Sequence, residues 1–231
     1  MNYTHVLRGS LLLAAVIAGA VPSSAPVFEN EQLRYSINWP SGLSLGEASL
    51  SASGSPARYH FNFDIDAGVP GFAVADRYRS QAVDDFCSTE FLRTTKHGAK
   101  KIDEKMTFDP HQGTVTRGAV GGETTDISAA PCSKDALTYL YYARRELSQG
   151  RIPQRQTVFL GAQYEITLEF GGTQTVRIGD KAVETERVTA SAKGSASNIG
   201  FEVYFLKDRA RTPALVRVPL ELGTFSMELL K

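Results

Sequence analysis

Apolar and polar residues alternate along most of this chain, and a period of two suits β-strands with one packed and one wet face. Leu33, Tyr35, Ile37 and Trp39 share one face of a first strand. Tyr59, Phe61, Phe63 and Ile65 share a face of another, opposite His60, Asn62, Asp64 and Asp66. The alternation returns in Tyr164, Ile166, Leu168 and Phe170, in Phe201, Val203 and Phe205, and in Phe225, Met227 and Leu229. Asp109-Pro110, Gly171-Gly172 and Gly179-Asp180 read as turns between strands. The pattern predicts a mainly β single domain of about 10–12 strands joined largely by hairpins. A sheet of that size must curl to deal with its edges, so the expected form is a curled antiparallel sheet, as a barrel or a sandwich.

One segment departs from the alternation. Leu137, Leu140, Tyr141 and Leu147 recur at helical spacing, Asp135 stands where a helix dipole favours an acid, Arg144 and Arg145 stand near the far end, and Gly150 can terminate the element. This spacing predicts one amphipathic helix over residues 134–149, packed on the sheet.

The N-terminus has the three parts of a secretory signal: a polar start with Arg8, an apolar run from Leu11 to Val21, and a small-residue exit. Ala18 and Ala20 supply the small-x-small pattern, so the expected division is a signal peptide over residues 1–20, a flexible segment over 21–30, and the β-rich domain over 31–231. The apolar run is shorter than the ~20 residues a helix needs to cross a bilayer, so no membrane span is expected. The expected location is the periplasm or the exterior. Loss of Arg8 leaves 24 basic against 25 acidic side chains. That balance offers no basic surplus for nucleic acid or anionic lipid.

Cys87 and Cys132 are the two cysteines, an even count in a chain addressed to an oxidising compartment, and the expectation is that they pair. Two free buried thiols are the alternative. A metal site is not expected, because neither a histidine nor a third cysteine stands at ligand spacing. No cofactor is expected either.

Two charged residues stand in apolar company. Arg144 lies on the helix's apolar stripe, and Asp76 shares a strand face with Phe72, Val74 and Tyr78. An unpaired buried charge costs several kcal/mol, so the two are expected to form an ion pair tying helix to sheet. Anchoring of a ligand by Arg144, or snorkelling to solvent, are the other readings. Trp39, Tyr78 and Tyr141, with Tyr139 and Tyr142 beside them, are candidates for lining a ligand pocket or, alternatively, for plain core.

Gly42-Leu43-Ser44-Leu45-Gly46 matches the G-x-S-x-G nucleophile elbow by letter, but the elbow needs a helix after the serine and Glu47-Ala48-Ser49-Leu50-Ser51 reads as strand. The motif is read as a turn, with Ser44, His60 and Asp64 the polar set a serine hydrolase would have to use.

Tyr35-x-Ile37-x-Trp39 followed by Gly42, Gly46, Glu47 and Ala48, the helix pattern Leu137-x-x-Leu140-Tyr141-Tyr142-x-Arg144, and the closing stretch of Phe205, Asp208, Arg209, Pro213 and Gly223 together resemble the bacterial exported family known as domain of unknown function 3108. The resemblance runs over roughly residues 31–231. It implies an exported β domain and brings no catalytic residues to carry over. The expected role is therefore noncatalytic binding of a hydrophobic or glycan-like ligand in the cell envelope. A structural or assembly factor acting through an envelope protein partner is the alternative.

Overall fold

A computed structural model of the chain describes residues 28–55, 57–195, 197–221 and 223–230. The expected signal peptide and residues 21–27 lie outside these residues.

The strands follow in chain order as β1 (Glu31–Asn38), β2 (Ser44–Ser55), β3 (Arg58–Val69), β4 (Phe72–Val83), β5 (Cys87–His97), β6 (Lys100–Asp109), β7 (Thr114–Ala119) and β8 (Thr124–Ser128). Then come β9 (Lys134–Asp135), helix α1 (Ala136–Ser148), β10 (Gln156–Phe159), β11 (Gln163–Ile178), β12 (Lys181–Gly194), β13 (Asn198–Leu206), β14 (Pro213–Leu220) and β15 (Gly223–Leu229). All 15 form one sheet in the order β8 to β1, then β15 to β9. Neighbouring strands are antiparallel except β9 and β10, which run parallel. The chain thus starts in the middle of the sheet, builds outward to one edge, and then builds the other half inward from β9 until β15 meets β1.

The count exceeds the expected 10–12, although one expected turn is not one. Gly171-Gly172 does not end a strand: the β11–β12 register shifts between Phe170 and Thr173, so the glycines make a bulge inside one long strand. Beyond the bulge, Val176 and Ile178 fold over the outer side of the sheet onto Tyr204, Ala214 and Leu215.

The sheet curls without closing. Its β9–β10 end winds over the inner face instead of pairing with β8: Phe159 packs edge-on against Phe108 at 5.6 Å, and the Ser88 amide donates to the Ser133 carbonyl at 3.1 Å. The inner face is filled by side chains. Ala48, Leu50 and Ala52 of β2 stand opposite Ile65, Phe63 and Phe61 of β3, so small residues leave room for the rings. Phe61 in turn stacks on Tyr141 of α1 at 4.1 Å.

The helix runs from Ala136 to Ser148, two residues later at its start than expected, because Lys134 and Asp135 pair as β9 and Asp135 is the N-cap. It is buried on more sides than the stripe implied. Tyr141 packs on the β3 side, Tyr139 and Ala143 meet Val158 and Ile166, and Leu147 meets Val188 and Val203 of β12 and β13. Phe28, within the segment expected to be flexible over 21–30, is buried against Phe86 and Tyr141.

Candidate functional site

Cys87 and Cys132 are bonded, with Cα atoms 4.4 Å apart. The bridge ties the start of β5 to the approach of β9, and Lys134 lies beside it, its ammonium donating to the Cys132 carbonyl at 3.1 Å. Burial, followed by repulsion from Arg145, pushes the Lys134 pKa down to about 8. Asp135, fully buried, accepts from the Ser80 and Ser88 hydroxyls at 2.6 Å each, from Thr138 Oγ1 at 2.8 Å, and from the Leu137 and Thr138 amides at 2.9 and 3.0 Å. Burial raises its pKa while these donors pull the other way. Five donors on one carboxylate make a structural cap, with no open position for a ligand.

The expected Arg144–Asp76 ion pair does not form, because each residue has a nearer partner. Arg144, 0% exposed, donates to both oxygens of Glu31 at 2.6 and 2.7 Å and, through Nε, to the carbonyls of Ala210 and Arg211 at 3.0 and 3.2 Å. Its guanidinium lies over the rings of Phe28 and Tyr141, and Tyr141 donates to Glu31 as well. Burial works against the cation, but Glu31 more than restores it and holds the Arg144 pKa above its ordinary value. Asp76 instead faces His97 Nε2 at 2.9 Å, with the Tyr78 hydroxyl donating at 3.3 Å. Glu31 was legible in the alternation, since it stands two before Leu33 on the same face. His97 was not, because its place opposite Val74 follows from the β4–β5 register.

The three expected pocket residues are not brought together. Tyr141 is core, in the stack with Phe61. Tyr78 lies between Phe63 and Phe91, and burial followed by the Asp76 charge raises its pKa. Trp39, edge-on to Phe225 at 4.8 Å, follows β1 and borders an open concavity.

That concavity is a groove of about 710 Å³ on the outer side of β1, β15, β14 and β13. Register builds it: Asn38 pairs with Ser226, Ser226 with Arg217 and Arg217 with Glu202, so four polar side chains form a row across four strands. The core residues Tyr35 and Ile37 alternate with Ser36 and Asn38, which turns this row outward. Ser36 and Glu228 make a second, parallel row. Glu202 is already engaged, accepting from Arg187 at 3.2 Å and from the Tyr204 hydroxyl at 2.8 Å. Arg217 lies over the Tyr204 ring and donates to its hydroxyl at 3.3 Å. Among the described residues Arg217 has no carboxylate within ion-pair distance, and it is exposed. A guanidinium with no carboxylate partner among the described residues, two carboxylates, an amide and hydroxyls beside an indole are recognition chemistry for a polar ligand. No histidine lines the groove.

The hydrolase set is dispersed. Ser44 opens β2, whereas His60 pairs with Ser53, nine residues further along that strand. At ~3.3 Å per residue that is roughly 30 Å. Gly46 explains the second glycine of the motif: it has φ +152°, and a Cβ there would fall 2.1 Å from the Asp66 carbonyl oxygen. The motif belongs to a hairpin, with β2 where the elbow would need a helix.

No helix among the described residues is long and apolar enough to cross a membrane. No curated protein matches the sequence. Among solved structures, the crystal structure of a beta-barrel-like protein of the domain of unknown function DUF1849 from Brucella abortus matches with a TM-score of 0.62 at 13% identity, over 89% of this chain and 98% of that one. At that identity the likeness is one of fold. The family described as "Protein of unknown function (DUF3108)" matches residues 34–230, from within β1 through β15, and the chain belongs to this family.

Proposed function

We propose that this is a noncatalytic binding protein of the cell envelope whose ligand is polar and glycan-like, held in the outer groove. The reading rests on the row of Asn38, Ser226, Arg217 and Glu202 next to Trp39, with Arg217 uncommitted to any carboxylate among the described residues. Sugar rings offer hydroxyls to such a row and an apolar face to an indole. The hydrophobic alternative loses ground because Phe61, Phe91, Met106, Tyr141 and Phe159 already occupy the inside of the curl. The envelope part of the reading is supported by the signal-like N-terminus, and a disulfide suits an oxidising compartment.

The test is native mass spectrometry of the protein purified from its own cells, followed by titration with cell-envelope saccharide fragments. A retained or titratable saccharide is expected, with Arg217→Met and Trp39→Ala each weakening it about tenfold, the worth of one good contact. Binding unchanged in both variants, or no saccharide bound at all, refutes the reading.

A further inference from the structure

Antiparallel hairpins put alternate turns at opposite ends of the sheet. The turns β1–β2, β3–β4, β5–β6, β7–β8, β12–β13 and β14–β15 therefore share one rim. Of the nine exposed large apolar side chains among the described residues, six stand at these turns: Leu43 (66% exposed), Val120 (62%), Leu220 (54%), Phe72 (49%), Val69 and Ile199 (43% each). Scattered exposed apolar residues are ordinary on a soluble surface, but their gathering on one rim is not.

The turns themselves have a common make-up. Pro40-Ser41-Gly42-Leu43, Val69-Pro70-Gly71-Phe72 and Val120-Gly121-Gly122-Glu123 each raise large apolar side chains next to glycine, and the first two carry no charge. The β5–β6 turn differs: exposed Lys96 and Lys100 flank it, and neither has an ion-pair partner among the described residues. Exposed Lys101 is held by Asp103. The acids at the tips are Glu123 and Glu221. Neighbouring tips touch: a Cβ on Gly98 would lie 3.1 Å from the Phe72 ring, and one on Gly223 would lie 2.7 Å from Pro40. The apolar Phe72 thus sits directly against the basic turn.

We propose that this rim docks on an anionic phospholipid membrane, with the apolar tips in the interfacial layer and Lys96 and Lys100 on lipid phosphates. A bilayer interface accepts separate protruding side chains one by one, without the shaped counter-surface that a protein partner would need. Lysines at its edge keep their charge in water while reaching anionic headgroups. Two unpaired lysines beside an apolar turn provide the matching charge.

The experiment is flotation of the protein purified from its own cells, its N-terminus read by mass spectrometry, with vesicles of 70% phosphatidylethanolamine and 30% phosphatidylglycerol against pure phosphatidylcholine. The wild type floats with the anionic vesicles and much less with the neutral ones. Leu43→Ser, Phe72→Ser and Val120→Ser combined lower the bound fraction about tenfold or more. Lys96→Glu with Lys100→Glu removes the preference for anionic lipid. The single tryptophan, Trp39, borders the rim and gives a readout in the wild type that needs no variant: its emission shifts to the blue on binding. No flotation, flotation unchanged by the triple substitution, or no Trp39 shift overturns the proposal.

Discussion

Replacing Glu31 by glutamine keeps the shape of the side chain and removes the charge that answers Arg144. The guanidinium is 0% exposed, and two of its bonds, at 2.6 and 2.7 Å, go to that carboxylate. Breaking a buried pair by neutralising one member costs ~3–5 kcal/mol, because the other charge is left without its counter-ion. The Ala210 and Arg211 carbonyls and the rings of Phe28 and Tyr141 remain, which places the loss in the lower half of that range. We expect about 3 kcal/mol by urea denaturation, and a melting temperature lower by roughly 6–12 °C for a domain of this size. Glu31→Gln with Arg144→Met removes both charges. It is expected to cost less than the two single changes summed, by about 2 kcal/mol, since no lone charge is left. A loss under ~1 kcal/mol for Glu31→Gln, or strictly additive costs in the cycle, would falsify the claim that this pair holds the helix inside the curl.

Three further outcomes follow from the same region. Folded Lys134 gives up its proton at about 8 while the unfolded chain keeps it to the ordinary 10.5, so the unfolded state binds more protons in that window and stability rises with pH from about 8. The rise ends near pH 10, where burial keeps Tyr35, Tyr78 and Tyr139 protonated while their unfolded counterparts ionise; urea midpoints across pH 7–11 should trace this maximum and lose the lower limb in Lys134→Met. Cys87→Ser with Cys132→Ser opens a link across 45 residues and is expected to cost ~4 kcal/mol, read as the difference between oxidised wild type and variant in equilibrium unfolding. Asp135→Ala leaves three hydroxyls and two amides without their acceptor, and at least ~2 kcal/mol should be lost, with amide exchange at Leu137 and Thr138 accelerating first.

The candidate groove shows where legibility ends. Each strand that builds it was readable, and so was the polar face on which Ser36 and Asn38 stand. That Asn38 meets Ser226 is a matter of register between segments nearly 190 residues apart, and no local pattern encodes it, whereas Ser226 and Arg217 face each other within one hairpin. The Arg144 partner divides the same way. Period-two counting places Glu31 on the apolar face with Leu33, whereas Asp76 and Arg144 share only burial among apolar neighbours, and nothing along the chain says which strands α1 crosses. Asp76 lies on β4, where His97 of β5 already answers it.

What the sequence by itself determined is what depends on neighbours along the chain: strands by alternation, one helix by its apolar spacing and its Asp135 cap, and a hairpin in place of an elbow at Ser44. A period of two tells which face is packed, and it does so for any closure of the sheet. The tertiary structure alone decided that the sheet winds its β9–β10 end inward instead of joining β8, that Gly171-Gly172 bends a strand rather than ending one, and that Arg144 is answered by Glu31. These are choices among pairings that satisfy the same alternation. They are settled by which arrangement fills the inner face with rings and brings a carboxylate to Arg144.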